Sequence, residues 1–401
     1  MSPARWAAFR VLERVAETDA HSDDLLHGAL LAGLSQADAG LAHALVLGVL
    51  RRQLELEARL LPLLSRPDAP IPGPVATALR MGAFQLLYMD RIPAHAALSE
   101  SVELVKLAGH PKAAGMVNAL LRKISLAGKG SIRRPLVESP QAMAGRLGHP
   151  EWLVKRWLAI YGREVTEAIC NFDLEEPAGA GLFSDGRFAM DDGSRLVAEL
   201  AAAALPQAKR VWDTCAAPGG KTLVLADHLP EAEIIATDVS PKRVERLRER
   251  TEREAPGRVR VLQADAANFS SAEGRFDLIL CDAPCSGTGT LAHNPEIKVR
   301  LEPEDLRRQS DRQRKILKAS LERLAPGGRL VYSTCSLEPE ENERIVATLG
   351  TLVKIIPMEE TLGLLQLPFS GEAPLQGPYL RTLPGANFAG DGFFAAILER
   401  A

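Results

Sequence analysis

The chain has 401 residues, 46% of them hydrophobic and 25% charged, with a formal net charge of −3. That length exceeds one compact core and favours two or three domains, while the composition is that of an ordinary globular protein rather than a disordered or fibrous one. No apolar run reaches the ~20 residues that span a bilayer, and the opening MSPARWAAFRVLERV has helical amphipathicity without a signal-peptide core, so a cytoplasmic location is expected. Five scattered cysteines, an odd number with no CxxC pair, argue against a disulfide framework and against a zinc site. Residues 1–135 carry 16 Lys and Arg against 12 Asp and Glu, and the remainder is net −7; a mildly basic first third is compatible with RNA.

In chain order, the first ~125 residues read as helices, with apolar positions at i, i+3 and i+4. Ser2-Pro3 is a suitable N-cap and first-turn pair ahead of Trp6, Phe9, Val11, Leu12 and Val15. Ser35 caps a stretch in which Leu41, Leu45, Val49 and Leu56 keep helical period. Helices are predicted near Val75–Met89, Ala94–Leu107 and Gly115–Ile124, with five prolines between 62 and 74 punctuating the loop before them. Residues 128–190 read as a transition containing one helix, Trp152–Phe172. From about Leu196 strands alternate with helices. Strands are predicted at Arg210–Thr214, Glu233–Asp238, Arg258–Ala264, Phe276–Asp282, Arg329–Ser333, Leu352–Pro357 and Phe393–Leu398, with helices at Leu223–His228, Pro241–Ala255 and Glu304–Leu324. That alternation implies an α/β Rossmann-like, mostly parallel sheet of seven strands, with ligands at the carboxyl ends of its strands. The expected domains are 1–127, all helical; 128–190, a linker; and 191–401, the α/β part.

A strand, a Gly-rich turn and a helix occur together in VWDTCAAPGGKTLVLA (Val211–Ala226). Gly219 and Gly220 allow close backbone approach, and the helix N-terminus that follows suits an anionic group. A P-loop would need Gly where Cys215 stands, and GxGxxG is absent, so nucleoside triphosphates and dinucleotides are disfavoured. A cofactor with a small anionic end and a nucleoside remains, held by Cys215, Ala216, Ala217, Pro218, Gly219, Gly220 and Lys221. Asp238 and Asp265, at the ends of the second and third strands, suit ribose hydroxyls and an adenine amino group respectively. A solvated acid at a strand end is the plain alternative for either one alone.

Phe276–Thr290 (FDLILCDAPCSGTGT) and Gly327–Glu343 (GGRLVYSTCSLEPEENE) each deliver a cysteine, Cys285 and Cys335, just past a strand's carboxyl end. Cys281 and Cys170 read as core, and Cys215 as a backbone contributor to the cofactor loop.

Together, AAPGGKT, DAPCSGTGT and YSTCSLEPEENE resemble the RsmB/Nol1/NSUN family of RNA cytosine-5 methyltransferases. The helical third resembles the NusB fold of an RNA-binding antitermination factor, through VLGVLRR (Val46–Arg52), AALSESVELVK (Ala96–Lys106) and MVNALLRK (Met116–Lys123). The resemblance implies S-adenosylmethionine as cofactor and small-subunit (16S) ribosomal RNA as substrate, for a monomeric, metal-free enzyme off the membrane. It implies Cys335 as the nucleophile toward cytosine carbon 6 and Cys285 as the thiol that assists release of the adduct. Asp282 is placed for the ring N3 or amino group and for the cofactor's amino group, while Lys221 is a candidate partner for either the thiolate or the cofactor. HNPEIKVR (His293–Arg300), with Arg307, Arg308, Arg312, Arg314, Lys315 and Lys318, offers an RNA track; a solvated basic face is the even alternative.

Two departures stand out. Glu175–Ser194 leaves almost no room for the small RNA-binding segment that family members usually carry there, and their Gln-Asp-x-x-Ser motif survives only as AMDDGS. The rival readings are a DNA or tRNA cytosine-5 methyltransferase, with Pro284-Cys285 as the DNA-type nucleophile pair, and a non-catalytic RNA-binding assembly factor. The second cysteine, Cys335, and the NusB-like region weigh against the DNA enzyme; intact Asp282, Cys285 and Cys335 weigh against the assembly factor.

Overall fold

The computed structural model describes residues 1–128, 138–177, 181–183, 186–188, 190–369 and 371–401. Gly130 and Pro135 of the transition, parts of the EEPAGAGLFSDG stretch and Ala189 of AMDDGS lie outside the described residues. The chain divides into two compact units, one of residues 1–176 with 291–300, the other of 177–290 with 301–401. Among the described residues, no helix is long and apolar enough to cross a membrane.

In the first unit, α1 (Pro3–Glu17) starts at Pro3, whose fixed φ suits a first turn; Ser2 sits at the N-cap but its side chain makes no cap bond. After α2 (Ser22–Leu26), α3 (Gln36–Arg51) is capped by Ser35, whose hydroxyl accepts the Asp38 N–H at 3.1 Å. The helical period read through Leu56 breaks at Arg52, and α4 (Gln53–Leu60) follows. α5 (Gly73–Tyr88), α6 (Ala94–Leu107) and α7 (Ala114–Ala127) close the bundle around Leu45, Val49, Leu79, Leu104 and Leu121. Gly48 is required where α3 meets α5, because a Cβ there would lie 2.0 Å from the Phe84 ring. α8 (Pro140–Leu147) and α9 (Glu151–Phe172, kinked at Gly162) also belong to this unit, although the sequence set 128–190 apart as a linker. Between them lies a buried His149, whose Nε2 is 3.1 Å from Asp173 Oδ2.

The second unit opens with α10 (Asp192–Ala204). It continues through β1 (Arg210–Asp213), α11 (Gly220–His228), β2 (Glu233–Asp238), α12 (Pro241–Glu254), β3 (Val259–Gln263) and β4 (Phe276–Asp282). The chain then leaves for the first unit. There, Leu291–Arg300, ending in the short helix α13 (Ile297–Arg300), is packed rather than displayed. The Lys298 ammonium is buried against the Arg51 carbonyl at 2.5 Å. Arg300 donates to the carbonyls of Val15, Thr18 and Ala20, and buried Glu296 accepts from the N–H and hydroxyl of Ser22. HNPEIKVR is therefore not an open RNA track: its charges satisfy helix-end and loop groups that would otherwise be buried without partners.

The chain returns as α14 (Pro303–Glu322), on which Arg307, Arg312, Lys315 and Lys318 are exposed, while Arg308 and Arg314 pair with Asp305 and Asp311. Then come β5 (Leu324–Thr334), α15 (Glu343–Ala347), β6 (Val353–Ile356), α16 (Met358–Leu364), β7 (Leu375–Gln376), β8 (Tyr379–Arg381) and β9 (Phe394–Arg400). The sheet has the order β3-β2-β1-β4-β5-β9-β8-β7, with β6 on β9; β3 to β5 run parallel and the remainder antiparallel. It contains nine strands among the described residues, not seven. β7 and β8, of two and three residues, are too short to show a period of two. Side chains alternate across the sheet. Val211, Leu278, Leu280 and Val331 join the core beneath α10 and α11, while Trp212, Ile279, Leu330 and Tyr332 join the core beneath α14 and α15. Both faces are covered, as a doubly wound sheet requires.

Candidate active site

Strand order decides where a ligand fits. β1 sits between β2, reached through α11, and β4, reached from the other end of the sheet, so the crevice at a topological switch point opens at the carboxyl ends of β1 and β4. The turn from β1 enters α11 at Gly219, whose φ of +100° is costly for any residue with a Cβ, and such a Cβ would sit 2.8 Å from Leu247 Cδ1. No side chain caps α11, so the first-turn N–H groups face the turn and favour an anion.

Asp213, the last residue of β1, is fully buried. Its Oδ2 accepts the Thr222 hydroxyl at 2.7 Å and its Oδ1 has no partner. Burial raises its carboxyl to about 7, with the charges of Asp282 and Asp238 adding to the effect. An unpartnered carboxylate oxygen beside an uncapped helix start fits a ligand carrying both an ammonium and a carboxylate, as the amino-acid end of S-adenosylmethionine does. The shift predicts a pH dependence. The folded state holds a proton that the unfolded chain releases near 4, so stability is full below that value and falls as pH rises toward 7. The melting-temperature difference between the parent protein and D213N should therefore shift against the parent between pH 5 and 7.5 without cofactor, as scanning calorimetry would measure; a constant difference would show that Asp213 titrates normally.

The other two acids differ from each other. Asp238 ends β2, is buried, accepts the Ser240 N–H at 3.0 Å and lies 3.2 Å from the Arg243 guanidinium. Asp265, two residues past β3, is exposed, and both its oxygens are engaged in its own turn, with the Ala267 N–H and the Asn268 amide.

At β4 and β5 the side chains converge. Asp282 accepts the Ser333 hydroxyl at 2.7 Å through Oδ1, and its Oδ2 lies 2.9 Å from the Lys221 ammonium; its side chain remains 24% exposed, which leaves lone pairs open to a ligand. Lys221 also donates to Ser194 Oγ at 2.7 Å. Burial works against the charge on Lys221, but Asp282 outweighs it and Cys335 adds to the same side, so the ammonium is held above its ordinary value. Lys221 thus lies between Asp282 and Ser194, with its ammonium paired to Asp282. The Sγ atoms of Cys285 and Cys335 are 3.4 Å apart, and the Cys335 carbonyl accepts the Gly289 N–H at 2.9 Å, tying the two loops together. The hydrogen bond to Cys335, then burial, then the charge on Cys335 push the Cys285 thiol well up. Cys281 and Cys170 are buried and burial raises both, Cys281 to about 12; burial also pushes the Cys215 thiol up, which suits a loop residue rather than a nucleophile.

Several residues of this cluster carried no clear sequence signal. Asp213 was legible only as the acid before the Gly-rich turn, and Ser194 only as the last residue of AMDDGS. Glu341 is hidden in the acidic run EPEENE, which looks solvated yet leaves Glu338, Glu341 and Asn342 fully buried.

Comparison with known proteins completes the picture. Residues 201–399 match the family model of the 16S rRNA methyltransferase RsmB/F, and residues 2–126 match that of the NusB family. The chain is 32% identical to ribosomal RNA small subunit methyltransferase B of Xanthomonas campestris, over 99% of this chain and 97% of that one. It is 31% identical to the protein of the same name from Shigella boydii, over 98% of each. These alignments run over 447 and 440 residues, more than the chain contains, so both relatives carry residues it lacks. The crystal structure of PH0851 superposes with a TM-score of 0.72 at 21% identity, covering 100% of this chain and 99% of that one, and shares the fold. The protein is thus a methyltransferase, whose methyl donor is S-adenosylmethionine. By this likeness along nearly its whole length, the chain belongs to the RsmB/F family of ribosomal RNA methyltransferases.

Proposed function

We propose that the protein methylates carbon 5 of a cytosine in 16S ribosomal RNA, through a covalent bond between Cys335 Sγ and carbon 6. One observation carries the reading: two thiols 3.4 Å apart at the carboxyl edge of the sheet, on the same edge as an Asp–Lys pair and the Gly-rich turn. Carbon 5 of cytosine is a poor nucleophile, and thiolate addition at carbon 6 turns the ring into an enamine that can attack an electrophile. S-adenosylmethionine supplies that electrophile, a methyl group on a sulfonium. Lys221 places positive charge beside Cys335 and so favours its thiolate. Asp282, fixed by Ser333 and Lys221, contacts ring N3 or the amino group and promotes the addition. After methylation a base takes the carbon-5 proton, the C5–C6 double bond re-forms as the Cys335 Sγ–carbon 6 bond breaks, and the thiolate departs; Cys285 assists this release. The base must leave its stack to meet Cys335, so an unpaired or extruded cytosine is the substrate. The NusB-like helices, within an expected domain of residues 1–127, serve as a second RNA contact for the α/β part, residues 191–401. The residues that the relatives carry in addition belong, in this reading, to the stretch shortened at Glu175–Ser194.

Bisulfite sequencing of 16S rRNA from a strain lacking the gene tests the assignment. One protected cytosine should become convertible, and a plasmid copy should restore protection while a C335A copy does not. Unchanged protection at every cytosine would refute it.

A further inference from the structure

Glu341 is fully buried, and no ion pair among the described residues includes it. A buried carboxylate without a cation is costly unless hydrogen bonds compensate. Here four donors do. Oε1 accepts the Ser286 N–H at 2.9 Å and the Gln313 amide at 3.0 Å; Oε2 accepts the Ser336 hydroxyl at 2.5 Å and the Ser286 hydroxyl. Ser286 follows Cys285, and Ser336 follows Cys335. Gln313 also donates to the carbonyl of Pro284, on the other side of Cys285, at 3.0 Å. Glu341 is itself anchored, its carbonyl accepting the Tyr332 hydroxyl at 2.6 Å. Asn342 steadies the Cys335 loop, donating to the Ser336 carbonyl at 2.7 Å and accepting the Thr334 hydroxyl.

We infer that Glu341 is a positioning residue that grips both cysteine loops and sets the spacing of the Cys285 and Cys335 thiols. The two loops follow different strands; past the paired ends of β4 and β5, the backbone bond from the Gly289 N–H to the Cys335 carbonyl joins them, and Glu341 adds side-chain bonds to the residues next to both cysteines. A single carboxylate with two acceptor oxygens can bond both at once, which hydroxyl-to-hydroxyl contacts such as Ser286–Ser336 at 3.1 Å do less firmly. Thiols that must act on adjacent ring atoms need such registration, since an error of about 1 Å in placement costs on the order of 10²-fold in rate. Glutamine in this place keeps an oxygen for the Ser286 and Gln313 N–H groups, and its amide can donate to the two serine hydroxyls once they rotate, so the grip survives loss of the charge.

The inference rests on the assignment of the two cysteines to the target base, and its test is arranged to separate the two claims. Phenylarsine oxide bonds two thiols at once and so reports their spacing without any RNA. Titrated into the full-length protein, it should be captured by the parent and by E341Q but not by C285A, and the E341A affinity should fall at least about tenfold. In parallel, kcat for E341A should fall about 10²-fold, with binding of S-adenosylmethionine unchanged, and E341Q should stay within about tenfold of the parent. If E341A cannot be purified folded, the double variant S286A/S336A, which removes both hydroxyl donors, takes its place with the same expectation. Capture and turnover by E341A within threefold of the parent overturns the inference. So does E341Q as impaired as E341A, or loss of cofactor binding along with capture. An arsenical result as expected, combined with an active C335A enzyme, would uphold the grip and remove the catalytic reading.

Discussion

Replacement of Cys335 by alanine is expected to lower methyl transfer to 16S rRNA by at least about 10⁴-fold, because it removes the atom that makes carbon 5 nucleophilic. The effect should fall on kcat and leave cofactor affinity intact, since the cofactor loop and the buried Asp213 belong to β1 and α11 rather than to β5. Serine should not rescue it: a hydroxyl is far harder to ionise than a thiol and does not reach the nucleophilicity of a thiolate. Incorporation of labelled methyl into rRNA from a strain lacking the gene measures the loss, and activity above about 1% of the parent would remove Cys335 from the nucleophile's place.

Cys285→Ala should produce a different phenotype: methyl transfer proceeds once, and the protein then remains bonded to the RNA. Multiple turnover should fall on the order of 10²–10⁴-fold, the range for loss of a positioned acid or base, while a denaturation-resistant protein–RNA band accumulates. In the proposed mechanism, release draws on Cys285 because its thiol sits 3.4 Å from that of Cys335. The hydrogen bond to Cys335, burial and the neighbouring Cys335 push the Cys285 thiol well up. Once the Cys335 sulfur is bonded to carbon 6, the first and third of these causes vanish. Cys285 then ionises more readily at the step where the carbon-5 proton must leave. Gel analysis after detergent denaturation checks this; a band in C335A and none in C285A would reverse the two roles.

Much of the fold was legible from local pattern. β2, β4 and α6 span the residues that the apolar runs and helical spacing predict, because each is long enough for its period to show and its partners are sequence neighbours or parallel strands of the same sheet. β5 begins five residues earlier than predicted, across Pro326-Gly327-Gly328, where the pairing with β4 shifts register. β7 and β8 take their definition from β9 rather than from any pattern of their own.

The charged residues were the least legible. HNPEIKVR reads as a basic track, yet Glu296 and Lys298 are among the most deeply buried charges in the chain, because their partners, Ser22 and Arg51, lie more than 240 residues earlier. The acidic EPEENE likewise gives no hint that Glu341 accepts four hydrogen bonds. Asp238 and Asp265 look equivalent at successive strand ends, but one is buried beside a guanidinium and the other is exposed and bonded within its own turn.

The residues alone determined the chemistry on offer: a Gly-rich turn after a strand, and two cysteines each set just beyond a strand end, are local arrangements that a few consecutive residues specify. What only the tertiary structure decided is which of these groups meet and which charges lose their water. Hydrogen bonding, thiol contact and desolvation all act over a few ångströms, and the 3.4 Å between Cys285 and Cys335 is set by the pairing of β4 with β5 and by Glu341, not by the fifty residues that separate them in the chain.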